Sequence, residues 1–153
     1  HETTRITASV CSGAVILAAS DLLTNKSATT HWAAMDVIEK LGATAQPKER
    51  IVRAGKVWTA AGVSAGIDLA FALLEEVAGR EVAERIQLMI EYDPQPPQNA
   101  GHMDKAAPAV ALAARIEMAH LAKNPMNGVA VAKVVWRKAL MCARRTIQRT
   151  LAA

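Results

Sequence analysis

The chain has 153 residues, 52% of them hydrophobic, and a formal net charge of +4 at pH 7. This length suits one domain with a sizeable core, and no run of about 18 apolar residues, the length needed to span a membrane, is present. The two cysteines, Cys11 and Cys142, have no metal-binding spacing, which argues against a disulfide framework and favours a reducing, cytoplasmic setting.

The positive charge is concentrated at the C-terminal end. Residues 120–153 hold seven Lys and Arg residues and no acid, so the total of +4 leaves −3 on residues 1–119. The basic balance is therefore poor evidence that the body of the protein binds nucleic acid. We predict neither a nucleic-acid partner nor a membrane partner.

The first predicted elements are a strand over Arg5–Val10 and a buried helix over Ala14–Ala19, joined by Cys11-Ser12-Gly13. A sharp turn there would lift the Cys11 thiol out of the sheet and aim it over the first N–H groups of the helix. That arrangement is a nucleophile elbow with cysteine in place of serine, and the helix terminus would favour the reactive thiolate. The alternative is a small cysteine packed as a buried hydrophobic residue.

Helices and short strands alternate along the rest of the chain, which predicts an α/β fold. A stiff extended loop is expected at the prolines that follow Tyr92. The expected helices are Ala33–Leu41, ended by Gly42, then Ile67–Val77, Arg80–Ile90, about 105–122 and about 128–151. The expected extended segments are Ser27–Thr30, Arg50–Val52 and Lys56–Thr59, the last two joined by a tight turn at Arg53-Ala54-Gly55.

Two further residues are candidates for the chemistry of the elbow. His31 follows a short extended segment, at the sheet rim where the elbow lies, so it could line the site, orient the thiol or titrate it. It could instead cap the helix that starts near Ala33. The Ser12 hydroxyl could bond a substrate atom and its N–H could join an oxyanion hole, although serine is also simply a good residue for a helix start.

The segment from Gly62 to Gly66 resembles a phosphate-binding loop only weakly, because it has neither GxGxxG nor GK[ST]. Its small residues are better explained by close packing of a helix against the elbow. Asp68 in the following helix is predicted to be a structural hydrogen-bond acceptor. His102, Asp104 and His120 lack the spacing of a metal site.

The last predicted helix carries an apolar stripe with basic residues on its other faces. We expect the stripe to dock onto the body or a second subunit, with Trp136 as the anchor, and a membrane-surface or nucleic-acid helix is the alternative. Two domains are therefore expected: residues 1–124 form the α/β domain with the elbow, and residues 125–153 form a basic amphipathic helical extension.

Four motifs in this order resemble the PfpI-type, glutamine-amidotransferase-like superfamily, and within it the isonitrile (cyclohexyl isocyanide) hydratases. They are Ser9-Val10-Cys11-Ser12-Gly13, Ala28-Thr29-Thr30-His31-Trp32, Gly62-Val63-Ser64-Ala65-Gly66-Ile67-Asp68 and Glu91-Tyr92-Asp93-Pro94-Gln95-Pro96-Pro97. The resemblance covers about residues 4–101. Any one of these motifs alone would be a weak signal, whereas the four together are specific.

The resemblance implies a flavodoxin-like three-layer sandwich, usually a homodimer, with Cys11 as the nucleophile. In isonitrile hydratases the thiolate adds to the isonitrile carbon, and water releases an N-substituted formamide from the resulting thioimidate. No metal or organic cofactor is implied. We predict Cys11, Ser12 and His31 as catalytic residues, and Gly13, Trp32, Gly62 and Val63 as substrate-binding residues.

Two departures from the family pattern shape the expectations. The family's domain has strands before the elbow and an acidic residue that hydrogen-bonds the cysteine, and this sequence carries neither. We therefore expect a second polypeptide, or a segment outside this sequence, to complete the sheet. The alternatives to a hydratase are a ligand-sensing domain related to AraC-type regulators, and a glyoxalase- or chaperone-like stress protein of the same superfamily.

Overall fold

The computed structural model describes residues 1–123 and the single positions Ala132, Trp136, Leu140 and Ala143. The chain divides into two compact units, His1–Ala107 and a second unit that begins at Pro108. Within the described part of the chain, no helix has the length and apolar character needed to cross a bilayer.

The first unit has a mixed α/β architecture in which most elements are short. In chain order the described elements are β1 (Thr7–Val10), α1 (Gly13–Ala19), β2 (Ser27–Ala28), a 3-10 turn (Trp32–Ala34), α2 (Met35–Lys40), β3 (Thr44–Ala45), β4 (Ile51–Ala54), β5 (Val57–Ala60), α3 (Ala65–Ala78), α4 (Arg80–Met89) and, in the second unit, α5 (Pro108–Ala122).

The main sheet has the strand order β1-β5-β4. Strand β1 runs parallel to β5, with Thr7 opposite Val57 and Val10 opposite Ala60, whereas β4 and β5 form an antiparallel hairpin. The hairpin turns at Gly55, whose φ of 61° suits a glycine. A separate pair of two-residue strands, β2 and β3, is parallel.

Strand β5 is the centre of a three-layer sandwich, because all four of its residues are buried. Val57 belongs to an apolar cluster with α1 and α2 on one face of the sheet. Trp58 and Ala60 belong to a second cluster with Leu69 of α3 on the other face. Because side chains alternate between the two faces of a strand, the core has two halves, one on each face of the sheet. The predicted fold class, an incomplete flavodoxin-like α/β sandwich, is confirmed.

Helix α1 differs from the prediction of a buried helix. Ala14 and Ala18 are fully buried, but the side chain of Ile16 is 69% exposed. The prediction is wrong on this face because, within the described residues, α1 packs mainly against β1 and α2. An apolar surface on α1 is thus left without a neighbour in this part of the chain.

The predicted helix over Ala33–Leu41 is present in two parts, the 3-10 turn and α2. Its end at Gly42 is as expected: Gly42 has a φ of 93°, its N–H donates to the carbonyl of Glu39, and the N–H of Ala43 donates to that of Ile38. These two bonds are a Schellman motif, which satisfies carbonyls that the helix end would otherwise leave free.

In the second unit, α5 begins at Pro108, where a missing backbone N–H costs nothing. The expected helix over 128–151 and Cys142 lie outside the described residues, apart from the four single positions. Trp136 is 67% exposed, so docking of its stripe remains a prediction. The boundary expected at residue 124 also remains a prediction.

Candidate functional site

Cys11 occupies a strained turn between β1 and α1. Its φ is 57°, in the left-handed region that costs a residue with a side chain about 1–2 kcal/mol. Its N–H donates to the carbonyls of Ala60 (3.2 Å) and Ala61 (2.8 Å), at the end of β5, and the residue is partly exposed. The chain thus leaves the sheet abruptly at the thiol, which is the geometry of a nucleophile elbow.

The carbonyl of Cys11 is held from the interior by Thr30. The hydroxyl of Thr30, a residue with no exposed surface, donates to this oxygen at 2.7 Å. Thr29 is equally buried: its N–H donates to the Thr59 hydroxyl (2.9 Å) and its own hydroxyl donates to the carbonyl of Glu49 (2.8 Å). Two buried threonines therefore fix the extended segment that leads to His31.

His31 has the capping role that the sequence offers as the alternative to a place in the site. Its Nδ1 accepts the N–H of Ala33 at 3.3 Å, so it caps the 3-10 turn. A Cβ placed on Gly62 would lie 3.6 Å from Cδ2 of the ring, so the opposite edge of His31 lies against Gly62. When Nδ1 accepts a hydrogen bond, the neutral ring carries its proton on Nε2, so Nε2 is a hydrogen-bond donor.

Ser12 is exposed and precedes the first residue of α1. Its side chain makes no capping hydrogen bond, so the interpretation of Ser12 as a helix cap gains no support. Among the described residues no acceptor lies in reach of the Ser12 N–H. Gly13 lies against Ser9, where an added Cβ would come 3.4 Å from the Ser9 Cβ, and the buried Ser9 hydroxyl has no partner among the described residues.

The other predicted pocket residues lie at the surface beside His31 and Gly62. The Trp32 ring is 5.1 Å from the His31 ring, centroid to centroid, and tilted by 37°. Val63 is 79% exposed. Direct contacts join His31 to Trp32 and to Gly62. Cys11 is bonded to Thr30 and Ala61, the chain neighbours of His31 and Gly62, whereas Gly13 packs against β1.

Asp68 is a structural acceptor, as the sequence predicts. Arg50 Nε pairs with Asp68 Oδ2, and the Tyr92 hydroxyl donates to Asp68 Oδ1 at 2.6 Å. The hydrogen bond to Asp68 raises the pKa of Tyr92 and the pKa of Arg50 above their ordinary values, because each group is more favourable in its protonated form there. Arg50 also donates to the Ser64 hydroxyl at 3.3 Å.

The hydrogen bond from Tyr92 to Asp68 connects the third and fourth sequence motifs. The Tyr92 ring also stacks on Phe71 with centroids 5.5 Å apart. Tyr92 therefore attaches the proline-rich loop to α3.

An open groove of about 460 Å³ lies between α3 and α4, and Asp68 and Tyr92 are among the residues that line it. None of the predicted site residues lines this groove.

Within the described residues, no three His, Cys, Asp or Glu side chains are arranged to hold a metal ion. The imidazole of His102 bonds to the carbonyl of Pro47 (3.0 Å) and its Nδ1 accepts the N–H of Asp104 (3.1 Å).

Sequence reasoning missed Thr30 and the partners of Asp68, Arg50 and Tyr92, although Thr30 and Tyr92 lie in motifs that it singled out. The signal for Thr30 is the pair of adjacent threonines in the extended segment before His31, because buried hydroxyl groups need hydrogen-bond partners. The partners of Asp68 are 18 and 24 residues away in sequence, so no local pattern reveals them.

Comparison with known proteins extends these observations. Residues 1–76 match the sequence model of the DJ-1/PfpI family. A curated Pseudomonas putida protein named isonitrile hydratase is 45% identical over 111 residues, which are 72% of this chain and 48% of that protein. The chain thus spans about half the length of the curated relative that it matches.

Solved structures give the same assignment. A ThiJ/PfpI family protein from Pseudomonas syringae superposes with a TM-score of 0.74 and 39% identity, over 83% of this chain and 51% of the other. Drosophila melanogaster DJ-1beta superposes with a TM-score of 0.54 over 58% of this chain and 47% of the other. At 19% identity, that second likeness shows a shared fold alone.

Proposed function

Because the chain belongs to the DJ-1/PfpI family through residues 1–76, we propose that it carries the nucleophile half of an isonitrile hydratase-like enzyme. The observation that carries the proposal is Cys11 itself, a partly exposed residue with a left-handed backbone at the turn from strand to helix. Strained backbone of this kind concentrates at functional sites. The similarity to the Pseudomonas putida isonitrile hydratase supports the substrate class.

The proposed reaction has two steps. The Cys11 sulfur adds to the terminal carbon of the isonitrile R–N≡C, and the same carbon takes a proton, which gives the thioimidate R–N=CH–S–Cys11. Water then adds to that carbon and the C–S bond breaks, so that R–NH–CHO is released and the thiol is regenerated. One water is consumed, no redox change occurs, and the proposal requires no metal or organic cofactor.

Ser12 and His31 are assigned the supporting roles. The free N–H of Ser12 stabilises negative charge that develops beside the elbow. The Nε2–H of His31, on the edge next to Gly62, orients the substrate as a donor, and Trp32, Val63 and Gly62 line its path. We place Gly13 behind the site, because it packs on Ser9.

Two features of the setting belong to the same proposal. A reducing, cytoplasmic compartment keeps Cys11 as a free thiol or thiolate. A homodimer, or a second polypeptide, completes the sheet beside β1 and contributes to the substrate pocket.

The test is turnover of an alkyl isonitrile such as cyclohexyl isocyanide, measured as formation of the formamide by mass spectrometry. The parent protein and the Cys142→Ser variant are expected to produce N-cyclohexylformamide, whereas Cys11→Ala and Cys11→Ser are expected to produce none above the uncatalysed rate. Trapping with substrate should add the mass of one isonitrile to the peptide that contains Cys11. Equal product formation by the parent protein and Cys11→Ala would disprove the proposal.

A further inference from the structure

A single peptide unit joins the buried threonine pair to the exposed side of the elbow. Its carbonyl belongs to Cys11 and accepts the Thr30 hydroxyl at 2.7 Å, and its N–H belongs to Ser12. No peptide bond of the described chain is cis, so this carbonyl and N–H point in opposite directions from one rigid plane. A hydrogen bond that fixes the inner end therefore fixes the direction of the outer end.

The two ends of this plane lie in different surroundings. Thr30 is fully buried, while Ser12 is exposed and its N–H has no acceptor among the described residues. The N–H of the residue after the nucleophile is the donor that forms an oxyanion hole in enzymes with this turn. Without the Thr30 hydroxyl, the Cys11 carbonyl would keep only the long bond from the N–H of Ala14 (3.5 Å). A peptide plane held so weakly can rotate, and a rotated Ser12 N–H would no longer face the reacting atom.

From this geometry we infer that Thr30 is a positioning residue, which aims the Ser12 N–H at the reacting group through the peptide plane of Cys11. The inference rests on the proposed function, since it names the residue that organises the same site. It also assigns a role to the second motif, in which His31 directly follows the threonine that holds the nucleophile.

The anchoring of Thr30 makes this role physically reasonable. The N–H of the neighbouring Thr29 donates to the Thr59 hydroxyl of β5 at 2.9 Å. This bond uses the backbone of Thr29, so it holds the segment beside β5 independently of the Thr29 hydroxyl. The left-handed conformation of Cys11 persists only where its surroundings hold it. The Thr30 hydroxyl and the carbonyls of Ala60 and Ala61 hold Cys11 on its two backbone polar groups.

The experiment compares three variants. Thr30→Val removes the hydroxyl at nearly constant volume, and Thr30→Ser keeps the hydroxyl. Thr29→Val is the matched control. It removes an equally buried hydroxyl that also donates to a carbonyl (2.8 Å), but this carbonyl belongs to Glu49 and not to Cys11. If the methyl group that Thr30→Val introduces prevents folding, Thr30→Ala removes the hydroxyl without placing a carbon against the Cys11 carbonyl.

Two readouts separate positioning from simple stability. The first is kcat and KM for cyclohexyl isocyanide, and the second is the pH profile of Cys11 alkylation by iodoacetamide, mapped by peptide mass. Thr30→Val is expected to lower kcat about tenfold or more with little change in KM, within the limit of about 10²–10³ set by loss of an oxyanion-hole donor. Its alkylation midpoint should move to higher pH, because the thiolate loses a well-aimed N–H.

Thr30→Ser is expected to restore both readouts towards the parent values. Thr29→Val is expected to lower the thermal stability as Thr30→Val does, but to keep kcat and the alkylation midpoint close to those of the parent. If Thr29→Val and Thr30→Val have the same kcat and the same midpoint, Thr30 is only structural and the inference is wrong.

The two proposals fail in different ways. If the parent protein turns over no isonitrile, the proposed function fails, and the alkylation midpoint still decides the role of Thr30. A higher midpoint in Thr30→Val than in Thr29→Val supports positioning, and equal midpoints overturn it, whichever substrate the thiol serves.

Discussion

At the scale of single residues, Cys11 differs from Asp21 and Asn25, two of the three other described non-glycine residues with left-handed backbones; the third is Glu91, with a φ of 52°. Asp21 and Asn25 have φ values of 63° and 58°, but Asp and Asn tolerate this region because their short side chains bond locally. Cys11 lacks that compensation and is held by its neighbours instead. A glycine would satisfy the turn at lower cost, which supports the proposal that the thiol has a chemical role there.

The Tyr92 hydroxyl offers a prediction in which pH controls stability. The hydrogen bond to Asp68, together with a smaller effect of burial, raises the pKa of Tyr92. A raised folded-state pKa means that the protonated phenol is favoured in the folded state. The stabilisation is therefore fully present below the unfolded-state pKa of about 10 and is lost as pH rises through the higher folded-state value.

Tyr92→Phe keeps the ring that stacks on Phe71 and removes only the hydroxyl. We expect the free energy of unfolding to fall by about 0.5–1.5 kcal/mol at neutral pH, because solvent screens a hydrogen bond to a charged group that lies near the surface. The difference from the parent should close as pH rises through the folded-state pKa of Tyr92, which denaturant melts at several pH values would measure. Tyr92 is the single tyrosine of the chain, so tyrosinate absorbance reports its titration directly. A gap that stays constant through the alkaline range would contradict this account.

At the scale of elements, the sequence predicts what local chemistry decides. The hairpin at Gly55, the helix end at Gly42 and the turn at Cys11 were each predicted from the residues at that position, and each is present. The exposure of Ile16 was predicted wrongly, because an apolar helix does not reveal how many of its faces have neighbours. The bonds of Thr30 and Asp68 were not predicted, because their partners come from other elements.

Helix α3 approaches β1 closely enough to require a glycine. A Cβ on Gly66 would lie 3.1 Å and 3.3 Å from the two Cγ atoms of Val10, the residue before Cys11. This contact confirms the prediction that the small residues of the third motif allow a helix to pack near the elbow.

Gly66→Ala should therefore destabilise the protein. Overpacking costs about 1–3 kcal/mol, which exceeds the gain of at most about 1 kcal/mol from replacing a helical glycine by alanine. Because Val10 must shift, alkylation of Cys11 should also slow. Gly101→Ala is the matched control: nothing lies within 4 Å of its added Cβ, so its stability should change by less than about 0.5 kcal/mol. Equal stabilities of the two variants would rule out a tight contact at Gly66.

At the scale of the whole molecule, one exposed apolar surface lies beside β1, the strand at one end of the sheet order. Strand β1 pairs only with β5 among the described strands, and Val10 is 37% exposed. Ile16 on the neighbouring α1 is 69% exposed. An unpaired edge beside an apolar helix face favours association, which is why we propose that another polypeptide, or a second copy, covers it.

Sedimentation velocity tests this proposal with two substitutions of the same kind. We expect the parent protein to sediment with a mass above the 16.3 kDa of one chain. Ile16→Lys should shift it towards the single-chain mass, because a buried unpaired charge is costly at an interface. Val77→Lys is the control, since Val77 is similarly exposed (63%) but lies near the end of α3, in the opposite layer of the sandwich. Both changes fall on exposed positions and should alter the stability of a single chain by less than about 0.5 kcal/mol. A parent protein of single-chain mass, or equal masses for the two variants, would show that β1 and α1 need no cover, and the substrate pocket would then have to be built from this chain alone.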